Sequence, residues 1–263
     1  PTFAEYEQAL ESVGAKVEHV LLKEDDEFRI QDSFIDWLHK DLDMVFLCNT
    51  NNPTGMLTDR DFLFKLLRVC RELGIFLVVD ECFQDFIREP GQYSLKAQLP
   101  RYHNLFLLKA FTKRYAMAGA RLGYGITENE ELLEKMTQVT QPWNISVLAQ
   151  AAGIAALKET DYVERARNLI FEEAEYLSKE LYKLGMTVFP SQANYLFFRG
   201  PENLFDVLVD QNVLIRACSN YPGLGKGFYR VAVRTHEENE RLIQAIHDGF
   251  MEAAKKEQEE EEQ

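Results

Sequence analysis

The chain has 263 residues, 46% of them hydrophobic, and a formal net charge of −14, so it can bury one large core, or a large core with a small satellite domain. That charge excludes a general affinity for nucleic acid or an anionic membrane, so any anionic ligand needs a local cluster of arginines. The cysteines, Cys48, Cys70, Cys82 and Cys218, form no C-x-x-C pair and lie mostly in apolar runs, which predicts a reduced, cytoplasmic protein.

No apolar run reaches the roughly 18–20 residues of a membrane span, and no basic-then-apolar leader opens the sequence. Phe3, Tyr6, Leu10 and Val13 share helical spacing before Gly14 and predict a first helix entered from a loop. Residues 17–22 read as a short strand, and Asp32 is placed to cap a helix over 33–40 ahead of a buried strand at 44–48. The turn-rich loop N-T-N-N-P-T-G follows. Thr58 is placed to cap the next helix, whose Phe62, Leu63, Leu66, Leu67, Cys70 and Leu73 fall on one face and which ends at Gly74. The apolar run 75–79 then ends in Asp80. Strand, helix and strand with continuous hydrophobicity predict a mostly parallel sheet covered by helices on both faces. Runs 104–108 and 122–126 add two strands.

From Ile145 the character changes to a small-residue helix ending near Lys158 and a long charged helix over 162–184, stopped by Gly185. Strands are expected near 186–189, 194–198, 213–216 and 229–234, with helices at 202–211 and 237–254, the latter opened by a capping box from Thr235 to Glu238. The organisation read from this is a large α/β domain over 1–145, interdomain helices over 146–184, a small α+β domain over 185–252 and an acidic tail over 253–263. The tail, ending E-E-E-E-Q, reads as a frayed helix end or solvated disorder.

The chemistry concentrates in L-L-K-A-F-T-K-R-Y-A-M-A-G-A-R-L-G-Y, residues 107–124, where Lys113 follows a strand and Arg121 comes eight positions later among small residues. A lysine in a desolvated, cation-rich pocket becomes a usable amine nucleophile, although an arbitrary lysine is far more often a surface residue. Asp80 stands at the carboxyl end of an apolar strand, where open α/β sheets bind ligands, and by itself it serves a turn as readily as a ligand. Asn51-Asn52-Pro53-Thr54-Gly55 ends the preceding strand, and alone is an ordinary Asn-Pro turn. Arg121 with Thr112 would suit a phosphate, while a single arginine more often meets a neighbouring carboxylate or carbonyl. Gly123 and Gly125 have no third glycine and make no dinucleotide fingerprint, and neither P-loop nor zinc spacing is present.

In order and context these residues resemble the fold-type I pyridoxal-phosphate enzymes of the aminotransferase class I/II superfamily, over essentially the whole chain from Phe3 to about Phe250. The resemblance implies a pyridoxal-phosphate-dependent transferase fold, a homodimer, and pyridoxal 5'-phosphate as cofactor. Lys113 would be the Schiff-base lysine, Asp80 the partner of the pyridine nitrogen, and Asn52 a donor to the phenolic oxygen. Arg121 and Thr112 would hold the phosphate, and Phe3 would stack on the ring. Phe83, in D-E-C-F, stands where many relatives have a tyrosine, and Ala110 where many have a phosphate-binding hydroxyl.

Within the superfamily, F-L-C-N-T-N-N-P-T-G, D-E-C-F-Q-D-F, Q-P-W-N-I-S, I-R-A-C-S-N-Y-P-G-L and F-Y-R-V-A-V-R are most similar to the threonine-phosphate decarboxylases of cobalamin biosynthesis, a group close to the histidinol-phosphate aminotransferases. Either implies a small anionic amino-acid or amino-phosphate substrate. Arg230, Arg216 and Arg234 are the candidates for its charges, with Asn144 and Tyr221 lining the pocket; structural ion pairs are the alternative for Arg216 and Arg234. The superfamily has a segment ahead of P-T-F with a Gly-rich helix start for the phosphate. It does not precede Pro1 here, so the sequence is expected to be part of a longer chain. A non-catalytic protein that keeps the fold is the reading from another class, and the intact set of Lys113, Asp80, Asn52 and Arg121 opposes it.

Overall fold

In the computed structural model, which describes residues 1–261, four strands form the first sheet: β1 (Met44–Cys48), β2 (Phe76–Asp80), β3 (Leu105–Ala110) and β4 (Gly123–Ile126), adjacent in that order. β1, β2 and β3 run parallel and β4 is antiparallel to β3. The helix Arg60–Leu73 makes the crossover from β1 to β2. It presses Phe62, Leu63, Leu66, Leu67 and Cys70 onto the sheet and ends at Gly74, whose φ of 79° is the left-handed turn glycine tolerates best. Leu77, Val79, Leu105 and Leu107 complete this core.

Register decides what the sheet presents. Cys48 pairs with Asp80, and Asp80 with Leu108, so the loop after β1, the end of β2 and the end of β3 open at one edge of the large sheet. That is where a parallel α/β sheet places a ligand.

A second sheet contains β5 (Thr187–Val188), β6 (Tyr195–Arg199), β7 (Arg216–Ala217) and β8 (Phe228–Ala232), ordered β5-β6-β8-β7 with all pairs antiparallel. The helices Thr160–Lys183, Leu204–Asp210 and His236–Glu261 bury one face of it through Leu177, Leu181, Leu208, Leu242 and Ile246. The other face receives Phe28 from the N-terminal segment, packed edge-on against Phe189, Phe197 and Phe228.

Several expectations shift. Residues 17–22 form no strand: they face β1 across an apolar groove of about 260 Å³ instead of pairing with its backbone. Asp32 begins a short 3-10 turn, Asp32–Trp37, and its carboxylate meets Lys65 at 3.3 Å rather than capping a helix. The cap of Arg60–Leu73 is Asp59, which accepts from the N–H groups of Asp61 and Phe62, whereas Thr58 donates its own N–H to Asn49. The helix Glu130–Val139, capped by Asn129, escaped the sequence reading. In sequence, Val147–Ala156 and Thr160–Lys183 come after the first sheet and before the second, over the span read as interdomain helices. The last helix continues through the acidic tail to Glu261, so the acidic run to that point is helical; positions 262–263 lie outside the described residues. No helix is long and apolar enough to cross a membrane among the described residues.

Candidate active site

Asp80 ends β2 half-buried, and both its oxygens are held. Oδ1 accepts the Cys82 N–H at 2.9 Å, and Oδ2 accepts the Tyr6 hydroxyl at 2.5 Å. Asn52 is buried in the loop after β1, and its side-chain oxygen accepts a hydrogen bond from Arg230 Nη1, which reaches across from β8.

The same loop is clamped against the second sheet. Tyr195 on β6 donates its hydroxyl to the Asn51 carbonyl at 2.9 Å, and Gln192 donates its N–H to the Gly55 carbonyl at 2.8 Å. A Cβ at Gly55 would lie 2.0 Å from Ser191 Oγ, so the absent side chain permits the approach.

Lys113 sits in the helical turn Phe111–Arg114 directly after β3, exposed, with its Nζ 5.4 Å from the centre of the Phe83 ring. Its ammonium has no carboxylate or carbonyl partner among the described residues. Phe83 packs edge-on against Tyr195 at 5.1 Å, and the Arg230 guanidinium lies 5.2 Å from the Tyr195 ring. Lys113, Phe83, Tyr195, Arg230 and Asn52 therefore form a continuous chain of contacts. Burial pushes the Tyr195 phenol well above its ordinary range; Cys48 and Asp80 add to the shift and Arg230 opposes it.

Other expected residues are placed less tightly. Arg121 takes a left-handed backbone, is exposed, and donates to the Ala118 carbonyl at 3.2 Å, within its own loop. Thr112 is half-buried beside Lys113. Phe3 is exposed and meets Tyr6 edge-on at 5.5 Å. Arg216 on β7 pairs in register with Arg230, donates to Asn220 at 2.9 Å and lies over the ring of buried Tyr221. Asn144 is exposed, as is Trp143 beside it in sequence. Arg234 forms an ion pair with Glu238 at 2.6 Å at the start of the last helix, the structural alternative its position allowed.

Sequence reading passed over Tyr6, Tyr195 and the pair below the site, where buried Glu81 meets Lys109 at 3.0 Å. Tyr6 looked like an apolar helix position. Only its hydroxyl, three residues beyond P-T-F, hinted at a polar role. Among the described residues no group of three or more His, Cys, Asp or Glu side chains could hold a metal ion.

An unpaired amine, a carboxylate at a strand end, a buried amide and two arginines in register suit an anionic, aldehyde-bearing cofactor. The class is that of a pyridoxal-phosphate enzyme built on an α/β sheet. The aminotransferase class I and II family model matches residues 1–246, and the chain belongs to that family, whose cofactor is pyridoxal 5'-phosphate. It is 37% identical over 250 residues to the threonine-phosphate decarboxylase of Salmonella typhimurium, covering 94% of this chain and 68% of that protein. It is 34% identical over 257 residues to the histidinol-phosphate aminotransferase of Desulfitobacterium hafniense, with the same coverages. The crystal structure of the histidinol-phosphate aminotransferase from Clostridium acetobutylicum superposes with a TM-score of 0.88 at 33% identity, covering 93% of this chain and 74% of that one.

Proposed function

We propose that this chain carries the active site of a pyridoxal-phosphate-dependent decarboxylase acting on an amino-acid phosphate, threonine phosphate in particular, with a place in cobalamin synthesis. The observation that carries the substrate class is the register pairing of Arg216 with Arg230 on β7 and β8. Directly opposed residues on antiparallel strands point to the same face. Two guanidinium groups there, on a protein of net charge −14, select a ligand with more than one negative charge.

Bound pyridoxal phosphate supplies an electron sink for the pair released when a bond to the substrate's Cα breaks. Asp80 would hold a proton at the ring nitrogen, Asn52 would donate to the phenolic oxygen, Arg121 with Thr112 would hold the phosphate, and Phe3 would stack on the ring. Arg230 and Arg216 would take the substrate's carboxylate and phosphate, with Tyr221 and Asn144 lining the pocket; Arg234 is held by Glu238. Lys113 would supply the amine that holds the cofactor and a base able to take or return a proton at the substrate's Cα.

Losing carbon dioxide and losing a proton break different bonds to the substrate's Cα, and the arginine that sets the carboxylate's orientation would choose between them. A transaminase acting on histidinol phosphate or an aspartate-like substrate is the second reading, supported by the relatives of that name. Phe83, where many relatives have a tyrosine, fits the decarboxylase pattern.

We divide the chain into a large domain over 1–145, linking helices over 146–184 and a small domain over 185–252, one sheet to each domain. Four free thiols fit a reducing cytoplasm. Trp143, Val139, Val147 and Leu148, each at least 79% exposed, fit a face that a second copy covers in a homodimer. The experiment is incubation of the cofactor-loaded protein with threonine phosphate and no keto acid. Carbon dioxide release is expected; turnover of histidinol phosphate solely with 2-oxoglutarate present would overturn the decarboxylase in favour of the transaminase.

A further inference from the structure

We propose that Tyr6 is a positioning residue of the active site, acting through Asp80: its hydroxyl fixes the rotation of the carboxylate that holds the proton at the cofactor's ring nitrogen. The inference rests on the role given to Asp80 above and extends it to a side chain that no contact with the cofactor would reveal.

The phenol is aimed from three sides. Its ring stacks on Phe46 of β1 at 5.3 Å and 27°, and Phe3 closes the edge at 5.5 Å. The helix Glu5–Glu11 that carries Tyr6 is tied to the loop after β1, since Thr2 Oγ1 donates to Asn51 Oδ1 and Asn51 Nδ2 donates to the Pro1 carbonyl, both at 3.0 Å. With the ring so held, the hydroxyl meets Asp80 Oδ2 at 2.5 Å, in the range of a charge-assisted O–H···O⁻ bond.

Asp80 Oδ1 already accepts the Cys82 N–H. One donor on each oxygen leaves the carboxylate a single orientation, with a lone pair still free on each oxygen for a ring N–H. A packing role would need the ring alone, and a phenylalanine would fill it. Burial, then the neighbouring Cys48 thiol and the Asp80 charge, push the Tyr6 phenol far above its ordinary range, so it remains a donor at any working pH.

The test compares two ligands on the full chain. One is pyridoxal phosphate. The other is its analogue with carbon in place of the ring nitrogen, which offers Asp80 no N–H. Dissociation constants are measured by quenching of protein fluorescence for the wild type, Tyr6→Phe and Asp80→Ala. Tyr6→Phe is expected to weaken pyridoxal phosphate about tenfold and to change the analogue less than about twofold, the size expected for one charge-assisted hydrogen bond. Equal weakening of both ligands would mean that Tyr6 only packs, and no change in either would mean that it does nothing for the cofactor; both overturn the proposal. Asp80→Ala separates the two levels. If it discriminates between the ligands and Tyr6→Phe does not, the role of Tyr6 alone falls; if it fails to discriminate, the reading of Asp80 falls and that of Tyr6 with it.

Discussion

Arg230, on β8, donates a hydrogen bond to the side-chain oxygen of Asn52 at the end of β1, so one contact joins the two sheets at the point where substrate and cofactor would meet. A lysine would keep the charge and lose the planar fork that meets an amide and a carboxylate together. Arg230→Lys is therefore expected to raise the KM for threonine phosphate by about tenfold or more, with a smaller change in cofactor affinity. Steady-state kinetics and a cofactor titration check this. An unchanged KM would remove Arg230 from the substrate site.

Beneath the site, Lys109 Nζ lies 3.0 Å from the carboxylate of fully buried Glu81, which also accepts from Ser94 Oγ and the Leu95 N–H. Removing the cation would leave a buried charge without its partner. Lys109→Met should cost about 3–5 kcal/mol in urea unfolding, and adding Glu81→Gln, which keeps the hydrogen bonds and discards the charge, should recover more than half. A loss below about 1 kcal/mol for the single variant would show that the pair contributes little.

The thiols set an alkaline limit. Burial pushes Cys48 and Cys70 up to about 12 and Cys218 up to about 11, from an ordinary value of 9.0. A folded-state value above the unfolded one means that the folded protein keeps protons the unfolded chain has lost. The stabilisation is complete below pH 9 and is lost as pH rises through the folded values. Tm should hold from pH 7 to about 9 and fall steadily between about 9 and 12. Cys70→Ala, compared with its own value at pH 7, should fall less. A Tm that stays level to pH 12 would contradict the burial of these groups.

How much was legible in the sequence follows from what each feature depends on. The large sheet was readable because 44–48 and 75–79 are apolar on both faces and Gly74 marks the helix end between them. Its antiparallel fourth strand was placed, whereas 17–22 failed as a strand because a ladder needs a neighbouring backbone, and β1 stands across a groove from it. Lys113, Asp80 and Asn52 became candidates because each sits at or just beyond a strand end, and Arg230, in mid-strand, through the resemblance of F-Y-R-V-A-V-R. Tyr6 and Tyr195 could not, since their roles depend on hydroxyl groups meeting partners 74 and 144 residues away. Arg234, a candidate by position, pairs with a carboxylate four residues on.

The claim on which the rest depends is that Lys113, and not the nearby Lys109, carries the cofactor. Borohydride reduction of the protein mixed with pyridoxal phosphate, followed by peptide mass spectrometry, tests it directly. The account predicts a stoichiometric pyridoxyl label on Lys113, lost in Lys113→Ala together with the visible absorbance. A label on Lys109, or a protein that stays colourless and unlabelled with excess cofactor, would contradict it.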